Sequence, residues 1–184
     1  MGSTLKCAVC SRSKSNCSTD LDIPICPKCW KDPQNSSFFE AEINKITPKI
    51  FLGNEQAQKR KWILKALGVT NILVVGYGLQ CFHKDDFIYK RIDVQDFVSE
   101  NIGRYFDETY DFIEEAKGNV FVHCLAGISR SPSVVIAYLM RKDGKSFEEA
   151  RNFVQERRIF ANPNQGFVTQ LMGYEAQLKK SRRI

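Results

Sequence analysis

Residues 120–132, Val-Phe-Val-His-Cys-Leu-Ala-Gly-Ile-Ser-Arg-Ser-Pro, constrain the fold more than any other stretch of the chain. Residues 120–123 are a short apolar, β-branched run, the pattern of a buried strand. Residues 124–130 form a loop of mostly small side chains. From Ser131 onward the chain is apolar for the length of a helix, and Pro132 suits the first helical position, where no N–H is required. A strand, a loop and a helix in this order aim successive backbone N–H groups and the positive helix end into one concavity. Such a concavity fits a phosphate dianion.

Two side chains add reactivity. Cys124 lies at the mouth of the loop. A free thiol titrates near pH ~8.5, and a helix N-terminus with neighbouring cations lowers that value, so the loop is expected to hold Cys124 as the nucleophilic thiolate. Arg130 follows six residues later. Its planar fork can grip two phosphate oxygens at once, which a lysine cannot do. The backbone amides of Leu125, Ala126, Gly127, Ile128, Ser129 and Arg130 are the expected phosphate-binding set.

The pattern His123-Cys124-x-x-Gly127-x-x-Arg130-Ser131 resembles the signature of the cysteine-based protein tyrosine phosphatases. The fuller string HCLAGISRSP is similar to their dual-specificity branch, and the resemblance extends over residues 43–180. It implies an α/β fold, with a central, mostly parallel (mixed) sheet of about five strands flanked by helices. It also implies hydrolysis of phosphotyrosine and phosphoserine or phosphothreonine in proteins, through a phosphocysteine intermediate and with no catalytic cofactor. Ser131, by the same resemblance, hydrogen-bonds the departing thiolate; read from sequence alone it is equally a helix N-cap. His123 is expected to orient the loop.

At 184 residues the chain fits one domain with a small appendage, and 43% apolar residues suffice for a core. No apolar run approaches the ~18 residues of a transmembrane helix, and the N-terminus lacks a secretory apolar stretch. Met1-Gly2 is followed by Lys6 where myristoylation wants Ser or Thr. A cytoplasmic or nuclear location is the expectation. The net charge of +6 suits an acidic, phosphorylated substrate but is too diffuse to indicate nucleic acid.

Of the seven cysteines, five fall within residues 7–29. Cys7-x-x-Cys10 and Cys26-x-x-Cys29 are separated by fifteen residues, the spacing of a four-cysteine zinc site. The rest of that segment is polar and would scarcely fold without a metal. The chain therefore divides into a zinc-binding module over residues 1–36, with structural zinc on Cys7, Cys10, Cys26 and Cys29, and a catalytic domain over residues 37–184. Cys17 is a spare thiol or a substitute ligand. Some phosphatases of the family carry a similar module, which could bind a protein partner.

Between these landmarks, residues 43–54 read as two short strands around a turn. Ala57, Ile63, Leu64 and Leu67 share one helical face closed by Gly68. Residues 70–75 are a buried strand, and residues 87–94 another. The chemistry needs a proton donor for the leaving oxygen. In the family that aspartate lies just after this strand, where Asp96 stands; Asp93 is the rival but falls within the strand. Residues 102–116 carry a helical stripe, and residues 132–140 form a helix apolar on every side, the mark of burial. Ser146-Phe147-Glu148-Glu149 is a capping box opening a helix to residue 157. Residues 162–167 resemble the family's turn before the last helix, with Gln165 where an aromatic is usual. Phe167, Leu171, Tyr174 and Leu178 line that helix.

The resulting mechanism is in-line attack by Cys124 on phosphorus, with protonated Asp96 giving its proton to the leaving oxygen. Ionised Asp96 then activates water to hydrolyse the phosphocysteine. A mildly acidic optimum of kcat/KM is expected. Leu125, Ala126 and Ile128 occupy places where phosphoinositide phosphatases often put lysines, which favours a phosphoprotein substrate. The alternatives are a phosphate-reading adaptor module with incidental turnover, or a phosphatase for a non-protein phosphate ester.

Overall fold

The computed structural model describes residues 43–182, preceded by two two-residue strands, β1 (Leu5–Lys6) and β2 (Ser13–Lys14), which pair antiparallel. Cys7, Cys10, Cys17, Cys26 and Cys29, and the boundary at residue 36, lie outside the described residues.

Five strands make the main sheet: β3 (Ile43–Lys45), β4 (Ile50–Gly53), β5 (Val69–Val75), β6 (Ile88–Ile92) and β7 (Asn119–His123). Their order is β3-β4-β7-β5-β6, with only β3 antiparallel to its neighbour. This is the mixed five-stranded α/β sheet that the resemblance implies. Alternation along the strands sorts side chains to two faces. Leu73, Val75, Val120 and Val122 face one layer, and Ile72, Val74 and Phe121 the other.

Two short helices, α1 (Glu55–Gln58) and α2 (Lys61–Ala66), cover the second face through Ala57, Ile63 and Leu64. The single helical face expected over residues 57–67 is thus divided at Lys59 and Arg60, although its apolar residues are all buried. Gly68 follows in the left-handed region, at φ +67°. The first face carries α3 (Phe106–Glu115), α4 (Arg130–Asp143), α5 (Phe147–Arg157) and α6 (Gln165–Ser181). Every residue of α4 from Ser131 to Met140 is buried, because the other three helices pack around it. The expected capping box is present: Ser146 Oγ accepts from the Glu149 N–H, and the Glu149 carboxylate accepts from the Ser146 N–H.

The start of the central helix differs from expectation. Helix α4 begins at Arg130, with Ser129 as the N-cap residue, so Pro132 is the third helical residue and not the first. All N–H groups of a first turn lack intrahelical acceptors, so proline is tolerated anywhere within it. Strand β7 lies at the centre of the sheet, and its C-terminal end opens onto α4. Ligands of open parallel sheets bind beyond that edge. Among the described residues no helix is long and apolar enough to cross a membrane.

Candidate active site

The loop between β7 and α4 is held by its carbonyl groups. The Cys124 carbonyl accepts from His123 Nδ1 at 3.1 Å. That of Leu125 accepts from the Glu55 N–H at 3.1 Å, and that of Ile128 from the Asn162 N–H at 2.7 Å. Arg158 donates from Nη2 to the Ala126 carbonyl at 3.2 Å and from Nε to the Gly127 carbonyl at 2.7 Å. The Ser129 carbonyl accepts from the Ser133 N–H and hydroxyl. Carbonyls tied outward leave the amides turned inward. Among the described residues, the N–H groups of Leu125, Ala126, Ile128 and Ser129 donate to no protein acceptor.

Cys124 lies at the floor, fully buried. Its sulfur accepts from the Gly127 N–H and from Ser131 Oγ, each at 3.2 Å. Ser131 therefore faces the sulfur and does not cap the helix. Arg130, only 12% exposed, lies 3.4 Å from the Asp96 carboxylate through Nε. That Nε is buried and makes no aligned hydrogen bond, so the pair is Coulombic and the N–H still lacks an acceptor. A buried donor without a partner costs about 1–3 kcal/mol. This donor and the acceptor-free loop amides beside Cys124 mark the place of an oxyanion.

Asp96 sits on the segment after β6, at the edge of this concavity. Oδ1 accepts from Ser129 Oγ at 2.6 Å and from Asn164 Nδ2 at 2.8 Å. Asn164 spans two elements, because its Oδ1 caps α6 by accepting from the Phe167 N–H at 3.0 Å. Asp93, by contrast, lies just past the end of β6 and is ion-paired to Arg91 at 3.0 Å. The structure thus gathers Cys124, the loop amides, Arg130, Ser131 and Asp96. The Ser129 hydroxyl, Asn164 and Arg158 join them as residues that sequence reading does not single out. No local signal reveals them, since Asn164 meets Asp96 across 68 residues and Arg158 meets Gly127 across 31.

Two glycines of the site leave little room for a Cβ. At Gly127, φ is +69° and a Cβ would lie 2.4 Å from the Gly53 carbonyl oxygen and 2.6 Å from Arg158 Nη2. At Gly76, a Cβ would lie 2.9 Å from Arg130 Nη1. Gly127→Ala should fold, as judged by circular dichroism, and lose about a hundredfold in kcat/KM, the scale of displacing oxyanion donors. Unchanged kinetics would show that the loop tolerates being pushed from Gly53.

His123 is buried against Phe121, with ring centroids 5.3 Å apart. Burial pulls its imidazole down to about 4, partly opposed by the hydrogen bond to the Cys124 carbonyl. The unfolded chain binds this proton near pH ~6.5, so between the two values the unfolded state holds more protons and stability falls as pH drops. The stability is complete above pH ~6.5 and declines by roughly 3 kcal/mol on the way to pH ~4. Urea titrations across this window should show a shallower dependence in His123→Asn. An identical slope would exclude His123 as its source.

Comparison with known proteins agrees with this geometry. Residues 50–177 match the model of the dual specificity phosphatase catalytic domain. Dual specificity protein phosphatase 1 of Arabidopsis thaliana is 44% identical over 139 residues, covering 74% of this chain and 70% of that protein. The crystal structure of the human tyrosine phosphatase-like serine/threonine/tyrosine-interacting protein superposes with a TM-score of 0.72 at 37% identity, covering 74% of this chain and 97% of that one. Human DUSP28 superposes with a TM-score of 0.72 at 31% identity, covering 74% of this chain and 95% of that one. With its sheet, its loop and its sequence all in agreement, the chain belongs to the dual specificity phosphatase catalytic domain family.

Proposed function

We propose that this protein hydrolyses phosphotyrosine and phosphoserine or phosphothreonine in proteins through a phosphocysteine intermediate. The observation that carries the reading is the ring of acceptor-free donors around Cys124: four loop amides and the Nε–H of Arg130. In the first step the Cys124 sulfur forms a bond to phosphorus while the bond to the leaving oxygen breaks, and Asp96 gives that oxygen its proton. In the second, Asp96 takes a proton from water, the new oxygen–phosphorus bond forms and the sulfur leaves with its electron pair. Ser131, at 3.2 Å, stabilises the departing sulfur. The amides and Arg130 hold the equatorial oxygens throughout. Ser129 and Asn164 keep the Asp96 carboxyl facing the cradle.

Rapid quenching during turnover of an aryl phosphate should leave one phosphoryl group on the peptide containing Cys124. Phosphate exchange without any phosphorylated Cys124 would sink the covalent route and favour a module that reads phosphate.

A second reading concerns the N-terminus. The spacing of Cys7-x-x-Cys10 and Cys26-x-x-Cys29, with fifteen residues between the pairs, supports a structural zinc. Purified protein should carry about one zinc per chain, held by four thiolates, and Cys7→Ser with Cys10→Ser should lose it. Full metal content in that double variant would reject the assignment.

A further inference from the structure

The apolar side chains left in solvent are not spread evenly. Nine large ones are exposed among the described residues, and seven of them surround the cradle. Leu125 and Ile128 belong to the loop itself. Tyr77 follows Gly76, the residue against Arg130, and its N–H donates to the Val94 carbonyl at 3.0 Å. Phe97 and Val98 follow Asp96 directly, and the Val98 backbone packs against Gly166 at the start of α6. Ile159 and Phe160 lie in the turn between Arg158, which holds the loop carbonyls, and Asn162, which donates to Ile128. Only Ile88 and Met172 lie elsewhere.

Charge is distributed in the opposite sense. The segments that frame the mouth are residues 54–56, 76–80, 93–100, 125–130 and 159–164. They contain Glu55, Asp93, Asp96 and Glu100, and Arg130 is their only cation despite the net charge of +6 for the chain. Arg91, on the adjoining strand, is paired with Asp93. An acidic flank would meet like charges there, whereas apolar flanks would cover apolar surface. Any ester whose phosphate reaches Cys124 must lie over Leu125 and Ile128, since the amides that hold the phosphate belong to those residues' own loop.

We infer that the preferred substrate is a phosphopeptide with large apolar side chains on both sides of the phosphoresidue, received by this collar. The inference rests on the phosphatase reading above. A membrane phosphoinositide would also meet an apolar rim, but its polyanionic headgroup wants cations that these segments lack.

The test uses the full chain and three phosphotyrosine peptides differing only in their flanks: Leu and Phe, Ala, or Glu and Asp. The apolar-flanked peptide should exceed the acidic one in kcat/KM by about tenfold, the scale of partly burying one or two large side chains. Ile159 and Phe160 are 81% and 57% exposed, so Ile159→Ser and Phe160→Ser should fold. Together they should reduce the preference to about threefold or less, with p-nitrophenyl phosphate turnover within twofold of the parent. Met172→Ser, outside the collar, should change neither measurement.

Equal or faster turnover of the acidic peptide would overturn the inference. So would a preference that survives both substitutions, or faster turnover of phosphoinositide in phosphatidylcholine vesicles than of the best peptide. Should p-nitrophenyl phosphate itself resist hydrolysis, the phosphatase reading falls. The affinity ranking of the same three peptides would then still decide the collar.

Discussion

Cys124→Ser protein should bind a phosphotyrosine peptide about as tightly as the parent while losing roughly 10⁴-fold or more in kcat. In the proposed mechanism the two effects separate because different groups carry them. Ground-state binding comes from the loop amides and Arg130, and neither depends on the sulfur: the loop carbonyls are tied to Glu55, Arg158 and Asn162. Bond formation to phosphorus depends on the sulfur alone. A serine hydroxyl in its place is far harder to ionise. The donors that suit a sulfur anion, Gly127 N–H and Ser131 Oγ at 3.2 Å, do not include a base able to remove the proton. His123 cannot act as that base, since its Nδ1 faces the Cys124 carbonyl and its ring is buried against Phe121. Isothermal titration of the variant with a phosphopeptide, beside single-turnover kinetics, checks both halves. Residual turnover within a hundredfold of the parent would mean that some other group attacks phosphorus.

How far the sequence reveals this arrangement follows from the range of each interaction. The strand, loop and helix around Cys124 are legible because their pattern is local: an apolar run, small residues, then a helix whose every face is apolar. Burial of residues 131–140 follows from that last feature directly. The division between α1 and α2 is not legible. Neither glycine nor proline marks it, and Arg60 enters α2 without a side-chain cap. Asp96 is recognisable by its place after β6. What holds it, Ser129 and Asn164, is set by tertiary packing that brings three separate connections to one edge of the sheet. Asn164 is also an ordinary N-cap, so its second hydrogen bond has no signature of its own. In the strand over residues 88–92 only Ile92 is buried, because the strand is the sheet's edge, which explains its weak alternation in the sequence.

Arg158 is the residue whose importance is most hidden, and its replacement carries the second large effect. It follows α5 directly, where a cation near a helix end reads as a solvated charge. In the structure it is 2% exposed and lies beneath the loop. It donates to the Gly127 carbonyl, to the Ala126 carbonyl and, at 2.6 Å, to Asn44 Oδ1 on β3. Burial pulls its guanidinium below the usual range, and the Cys124 sulfur pushes it back up. Arg158→Met should do two things. It should destabilise the domain by about 3 kcal/mol, since each buried carbonyl left without a donor costs about 1–3 kcal/mol. It should also lower kcat/KM by about a hundredfold, the scale of displacing oxyanion donors, because the Ala126 and Gly127 carbonyls lose the fork that holds their loop. Arg158→Lys keeps the charge but not the planar fork. It should lose about tenfold in kcat/KM as the loop carbonyls loosen. Urea titration and kcat/KM on p-nitrophenyl phosphate read the two effects separately. A Met variant that is destabilised yet turns over at the parent's rate would confine Arg158 to stability and leave the loop geometry independent of its grip.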